Sequence, residues 1–193
     1  MVALPSTFTS VEKNRMLRAY LIGQLARFLG MFRVTHVFVY YDEDPYFDSH
    51  GLGRYIVKTL KYAVTPPWLK KLVFPLEETD RYFGVIPPLQ IESHISPGKT
   101  EWGAVTHERI LVSKHVNKKI SVNKLVRLGY GKRLPQLVAI RDGKLVSPDD
   151  LNREEYIGFW PVYYNKPLSS LLTLLRKRYD PYIIGTSRKG KSL

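Results

Sequence analysis

A few small groups of side chains in this sequence have the types and spacing to do chemistry. Gly185-Thr186-Ser187 closes the stretch GFWPVYYNKPLSSLLTLLRKRYDPYIIGTSRKG at 158–190, and a Gly/Ser/Thr loop of this kind can turn its backbone N–H groups toward a ligand. Asp42-Glu43-Asp44 ends a dense apolar run, a place where α/β proteins put site residues. Three acids suggest a metal ion, but no His or Cys stands at ligand spacing beside them, so they read as a solvated loop. Asp48, Ser49 and His50 supply the residue types of a triad, yet they are adjacent in the chain, which is not how a triad is assembled. The chain carries no nucleophile elbow, P-loop or HExxH. It has no cysteine, which excludes disulfides and thiolate metal sites.

The largest chemical group is basic. Net charge is +13, and the excess sits in two segments. Residues 109–144 hold ten cations (Arg109, Lys114, Lys118, Lys119, Lys124, Arg127, Lys132, Arg133, Arg141 and Lys144) against the single acid Asp142. Residues 176–193 hold six (Arg176, Lys177, Arg178, Arg188, Lys189 and Lys191) against Asp180, which leaves the rest of the chain close to neutral. Segregation of this kind favours a polyanion partner over a merely solvated face. Arg176, Lys177 and Arg178 crowd the end of an expected helix, where cations suit the macrodipole. Arg188, Lys189 and Lys191 have no such explanation and are read as RNA contacts along with the 109–144 set. Tyr130, among Lys124, Arg127, Lys132 and Arg133, is either a stacking platform for a base or a packing residue.

These groups are positioned by elements of α/β grammar. Val2 to Pro5 reads as a short strand and Val34 to Tyr41 as a dense apolar one, interrupted only by His36, which is read as a core or edge histidine. Thr9 and Glu12 fit a capping box that starts a helix at about Ser10. Leu17, Leu21, Leu25, Phe28, Leu29 and Phe32 form one stripe of that helix, expected to face the core. Residues 53–64 read as a second helix, broken by Pro66-Pro67, with a short turn over 68–74. Tyr82 to Ile86 reads as a strand. Phe159 to Tyr164, Leu168 to Arg178 and Tyr182 to Ile184 read as strand, helix, strand, a βαβ unit of a parallel sheet. Between about Ala104 and Tyr156 the helical period gives way to short β runs at 109–112, 119–122, 137–140 and 145–146, with Asp142-Gly143 as a hairpin turn.

The block GFWPV…LSSLL…YDPYIIGTSRKG resembles the C-terminal half of the SPOUT RNA methyltransferases, in their RNA uridine methyltransferase branch. Ala3-Leu4-Pro5-Ser6, the run Arg18 to Arg27, Tyr41-Asp42-Glu43 and Pro87-Pro88-Leu89…His94 agree in the same order, so the resemblance covers nearly the whole chain. It implies an α/β fold with a parallel-sheet, Rossmann-like SPOUT core over 1–103 and 157–187. A small inserted β-barrel-like module over 104–156 and a basic tail over 188–193 complete the expected organisation. In that family the segment after G-T-S-x-x-G completes a trefoil knot and the S-adenosylmethionine pocket; this sequence ends three residues after Gly190. Arg188 stands where relatives carry an acid, Ser93-His94 where they carry paired histidines, and Glu101-Trp102-Gly103 where they carry an arginine before the glycine.

The expectation from these departures is a non-catalytic protein with an incomplete knot, no catalytic residue, no cofactor and no metal, Gly185, Thr186 and Ser187 being a vestige of the donor loop. It binds structured RNA, with rRNA and neighbouring ribosomal proteins as its partners, as a monomer within a larger ribosomal complex. The alternative is an S-adenosylmethionine-dependent RNA methyltransferase whose pocket a partner chain completes. No apolar run approaches the ~18–20 residues of a spanning helix. Arg15, Arg18 and Arg27 break any signal-peptide layout, so the expected location is cytoplasmic, with no membrane partner. Six to eight of the cations on phosphate give a fall of log K with log[salt] of slope about −4 to −6. Filter binding of a structured RNA across a salt series measures it, and a slope near zero removes the polyanion reading.

Overall fold

The protein is described from a computed structural model over residues 1–74, 77–94, 102–105, 110–112, 117–120, 137–141, 144–145, 156 and 158–186. Its centre is β2 (His36–Tyr40), paired in parallel with β1 (Val2–Pro5) on one side and with β8 (Trp160–Tyr164) on the other. Leu4 lies opposite Val39, and Val39 opposite Tyr163. β2 is central and its run HVFVY is apolar apart from His36, as a strand covered on both faces should be. Pro5 and Pro161 lie on the two outer strands, where a missing N–H spoils no inner ladder.

Two helices cover one face. α1 (Arg15–Met31) follows β1, and α2 (Ser49–Val64) follows β2. Ile22, Ala26 and Leu29 of α1 and Ile56, Leu60 and Ala63 of α2 close over Val37 and Val39. A short α3 (Pro67–Val73) opens on Pro67 at its first position, where the missing N–H is no loss. α4 (Leu168–Tyr179) follows β8, buries Leu171 and is tied to the strand by Tyr164 Oη and Ser170 Oγ, 2.9 Å apart. A second, antiparallel sheet takes β3 (Trp102–Val105), β4 (Ile110–Val112), β5 (Asn117–Lys119), β6 (Leu137–Arg141) and β7 (Lys144–Leu145) in the order β5-β4-β3-β6-β7. Arg141 pairs with Lys144, as the expected hairpin requires. The run expected over 119–122 is instead a strand at 117–119, paired with β4.

α1 departs from expectation at both its start and its face. It begins at Arg15, capped by Asn14, whose side chain accepts from the amides of Met16 and Leu17 at 2.9 and 3.3 Å. Thr9 makes no capping bond; its hydroxyl is buried without a partner. Most of the large apolar stripe points outward, with Leu21 43% exposed, Phe28 54% and Phe32 74%, while Leu29 of that stripe is buried and Leu25 packs against the core. The buried face is instead the small-residue row Ala19, Gly23, Ala26 and Gly30, together with Ile22 and Leu29. The cause is the segment 86–91, which lies directly on that row. A Cβ at Gly23 would come 2.7 Å from Pro87 Cδ, and one at Gly30 would come 3.1 Å from Ile91 Cγ2.

Two expected strands are absent from the sheets. Within 82–86, Phe83–Val85 forms a 3-10 turn, and Phe83, buried against Tyr62 with ring centroids 4.8 Å apart, packs as an aromatic anchor instead of pairing. Tyr182-Ile183-Ile184 forms no strand and pairs with nothing among the described residues, with Ile184 58% exposed. The turn at 78–80 is pinned to α2 by Lys58, whose Nζ lies 2.8 Å from Asp80 Oδ1, a buried carboxylate. Burial pulls the Lys58 amine down, but the Asp80 and Glu77 carboxylates outweigh it and leave its pKa raised.

The facing of α1 sets a test. Gly23→Leu forces a side chain into Pro87 and should destabilise by about 1–3 kcal/mol. Leu21→Gln, on the stripe expected to be core, should change stability by no more than about 0.5 kcal/mol. Urea unfolding midpoints of the two variants measure both, and the reverse order would place the core on the other face.

Candidate active site at the carboxyl ends of the strands

Parallel pairing brings the carboxyl ends of β1, β2 and β8 to one edge, together with the N-terminus of α2. That edge is where open α/β sheets bind ligands. Ser6 is fully buried there: its amide donates to Tyr40 O at 2.8 Å, and its hydroxyl donates to Asp42 O and accepts from Asp42 N at 3.3 and 3.0 Å. The Thr7 hydroxyl donates to the Asp42 carboxylate. Asp42 is therefore a clamp between two strand ends, where a solvated loop was expected. The Tyr41 amide is shared between Tyr164 O and Lys166 O at 2.9 and 3.1 Å, which locks the third strand end to the second.

An aromatic cluster stands on this frame. The His50 ring, in the first turn of α2, stacks on Tyr41 with centroids 4.4 Å apart and planes 16° from parallel. Its Nδ1 lies 2.6 Å from Tyr163 Oη, and the Tyr163 ring meets it edge-on. Burial raises the Tyr163 phenol pKa, so it stays protonated near neutrality. Asp48 caps α2 by accepting from Gly51 N at 2.9 Å. Gly53 lies so close to the Tyr163 ring that any Cβ would strike it. Two hydroxyls of this edge, Thr9 Oγ1 and Ser49 Oγ, are buried with no hydrogen-bond partner. Among the described residues no group of three or more His, Asp or Glu is placed to hold a metal ion.

Of the residues singled out in sequence, Gly185 and Thr186 are exposed, and a Cβ at Gly185 would meet nothing within 4 Å. The loop has an open backbone rather than a closed cradle. Lys118 and Lys119 lie on β5, Arg141 on β6 and an exposed Lys144 on β7. Arg109, Lys114, Lys124, Arg127, Tyr130, Lys132, Arg133, Ser187, Arg188, Lys189 and Lys191 lie outside the described residues. Sequence reasoning set His50 aside as a neighbour of Asp48 and Ser49, and gave Tyr41 and Tyr163 no place in a site. The available signal was that a strand end, a helix start and a second strand end all carried aromatic or imidazole rings.

The amino ends of the strands hold a different histidine. His36 opens β2, and burial, with the nearby N-terminus and Arg178, lowers its pKa. His94 Nε2 donates to Val64 O at 3.0 Å, which leaves Nδ1 bare and buried without a partner. Burial, opposed by the Val64 and Leu89 carbonyls and helped by the nearby Lys70 charge, lowers its pKa to about 4. Lys70, over the Tyr62 ring at 4.2 Å, is itself pushed down to about 8 by burial.

The model of a family described as "Putative RNA methyltransferase" matches residues 1–193. The chain belongs to this RNA methyltransferase family. A 28S rRNA (uridine-N(3))-methyltransferase of Drosophila melanogaster is 26% identical over 229 residues, covering 100% of this chain and 46% of the relative. A mouse protein of the same name is 25% identical over 226 residues, covering 100% and 57%. An uncharacterised protein of Halobacterium salinarum is 26% identical over 146 residues, covering 76% and 50%. The chain thus spans about half the length of the curated relatives it matches. These findings overturn the expectation of a non-catalytic, cofactor-free ribosomal RNA binder. That expectation leaned on where the sequence stops, and an end point says nothing about activity when relatives are about twice as long. Membership of an RNA methyltransferase family fits the fold's ligand edge, where a built cluster stands.

His94 carries the pH prediction for this family member. Its folded pKa lies below its unfolded one, so between pH about 6.5 and 4 the unfolded chain binds more protons and stability is lost as pH falls. The expected loss at pH 4 is on the order of 2 kcal/mol. Urea unfolding at pH 7 and pH 4 measures it, and His94→Gln should flatten that difference; an unchanged pH dependence would remove His94 from the account.

Proposed function

We propose that this chain methylates N3 of a uridine in ribosomal RNA, using S-adenosylmethionine. The family match across residues 1–193 carries the reading, supported by relatives aligned over the whole chain that are named as uridine-N3 methyltransferases. The residues of the carboxyl edge suit that donor. Carboxylates of Asp42, Glu43, Asp44 and Asp48 complement its sulfonium and ammonium charges, and Tyr41 and Tyr163 offer ring faces to a cation. Gly185 is exposed, and a Cβ there would meet nothing within 4 Å, which leaves room for a ligand beside its backbone. When bound, the donor supplies an electrophilic methyl group on sulfur.

The chain's own residues bind and orient the RNA. In this reading 1–103 with 157–187 forms the catalytic core, 104–156 is the basic β module and 188–193 a basic tail. The cations of 109–144 and 188–191 hold phosphates, and the carboxyl edge receives a base turned out of its stack. Backbone contacts of this kind position the RNA but do not read its sequence. Incubation of the full chain with deproteinised rRNA and methyl-labelled S-adenosylmethionine, followed by nucleoside mass spectrometry, should show label in N3-methyluridine. Label in another nucleoside, or none with binding-competent RNA, would overturn the proposal.

A further inference from the structure

The imidazole of His50 is held on two sides and free on a third. Tyr163 Oη fixes Nδ1 at 2.6 Å, and the Tyr41 ring fixes the plane by stacking. Among the described residues Nε2 has no hydrogen-bond partner, and no other imidazole stands at this edge: His36 opens β2 at the opposite end and His94 is tied to Val64 O. The titratable groups in contact with the ring are Tyr41, just past β2, and Tyr163 of β8, and the charges of Asp48, the α2 cap, and Arg54 of α2 act on the Tyr163 phenol. A reactive nitrogen presented at the ligand edge by two locked partners is more than a helix-start residue needs.

We infer that His50 Nε2 accepts the N3–H proton of the target uracil, with Tyr163 and Tyr41 as positioning residues. The inference rests on the uridine-N3 reading. N3 of uracil carries an imide proton and has no free in-plane electron pair until that proton leaves. In the balanced step the N3–H bond breaks and its proton goes to Nε2. The electron pair left on N3 forms the bond to the donor's methyl carbon. The sulfur–methyl bond breaks with its pair remaining on sulfur, so the sulfonium becomes a thioether. The step requires the tautomer in which Nδ1–H donates to Tyr163 Oη, and the imidazolium formed keeps that bond. Imidazole is suited to this because it exchanges a proton between about pH 5 and 8.

Two measurements on the full chain test it. In the first, the imidazole nitrogens are labelled and His50 is titrated by NMR with a uridine-containing RNA oligonucleotide and with the same RNA carrying N3-methyluridine. The uridine RNA alone should shift the Nε2 resonance; identical titrations would overturn the inference, whether or not any methyl transfer is seen. In the second, kcat/KM is followed against pH for the wild type, His50→Gln and Tyr163→Phe. The wild type should show an acid limb, the rate falling as the imidazole takes up a proton. His50→Gln should abolish that limb and lower kcat by roughly 10²–10⁴-fold with RNA affinity unchanged, while Tyr163→Phe keeps the limb with a smaller loss in kcat. A fully active His50→Gln in a protein that does methylate uridine sinks this inference alone. A wild type that forms no N3-methyluridine sinks the functional reading, and the NMR comparison then decides on His50.

Discussion

Parallel pairing of β2 on both of its edges is the constraint from which the rest of the molecule follows. Because β1, β2 and β8 run the same way, every connection between them must cross from one end of the sheet to the other. The helices α1 and α2 make those crossings, and their burial against Val37 and Val39 is what holds the register. The same geometry sends all three carboxyl ends to one edge. There Ser6, Thr7 and Asp42 tie the first two ends together, and the shared Tyr41 amide ties in the third. A rigid edge of this kind suits a site better than a loop would, since the frame is fixed by backbone hydrogen bonds before any ligand arrives.

α1 shows how packing geometry overrides hydrophobic pattern. A helix usually buries its widest apolar stripe, and here Leu17, Leu21, Phe28 and Phe32 of that stripe are exposed while Leu25 and Leu29 reach the core. The segment 86–91 approaches the helix backbone so closely that only Gly and Ala fit beneath Ile86, Pro87, Leu89 and Ile91. Close approach brings Ile86, Leu89 and Ile91 into the main cluster with Ile22, Ala26 and Leu29, and their burial offsets what glycines lose in helix propensity.

The α/β class, the positions of β1, β2, β8 and α2, the short α3 after Pro66-Pro67 and the pairing of 137–141 with 144–145 were all legible, because each rests on local signals of apolar runs, proline or a two-residue turn. What was not legible depends on contacts distant in sequence. The pattern at 82–86 fits a strand in isolation, but Phe83 finds Tyr62 and Tyr55 on α2, and the turn that places it there wins. Tyr182 to Ile184 has every mark of a strand except a neighbour to pair with among the described residues. The family was legible from ordered motifs. The expectation of a non-catalytic binder failed because it rested on a few substituted positions and an end point, while the family match runs through the whole chain.

The site itself illustrates why adjacency in sequence is a poor guide to chemistry. Asp48, Ser49 and His50 were set aside because three neighbours do not make a triad, and the structure agrees that they do not act as one: Asp48 caps its own helix, Ser49 is buried, and only His50 turns to a partner. That partner, Tyr163, lies 113 residues away in the chain and reaches the imidazole only because β8 is registered against β2. Under the proposed function the basic segments follow the opposite logic. Phosphate recognition needs charge density rather than exact placement, so it can be read as a run in sequence. Proton transfer needs a nitrogen held to within a fraction of an ångström, and that accuracy comes from the sheet's register, which no local stretch of this chain encodes.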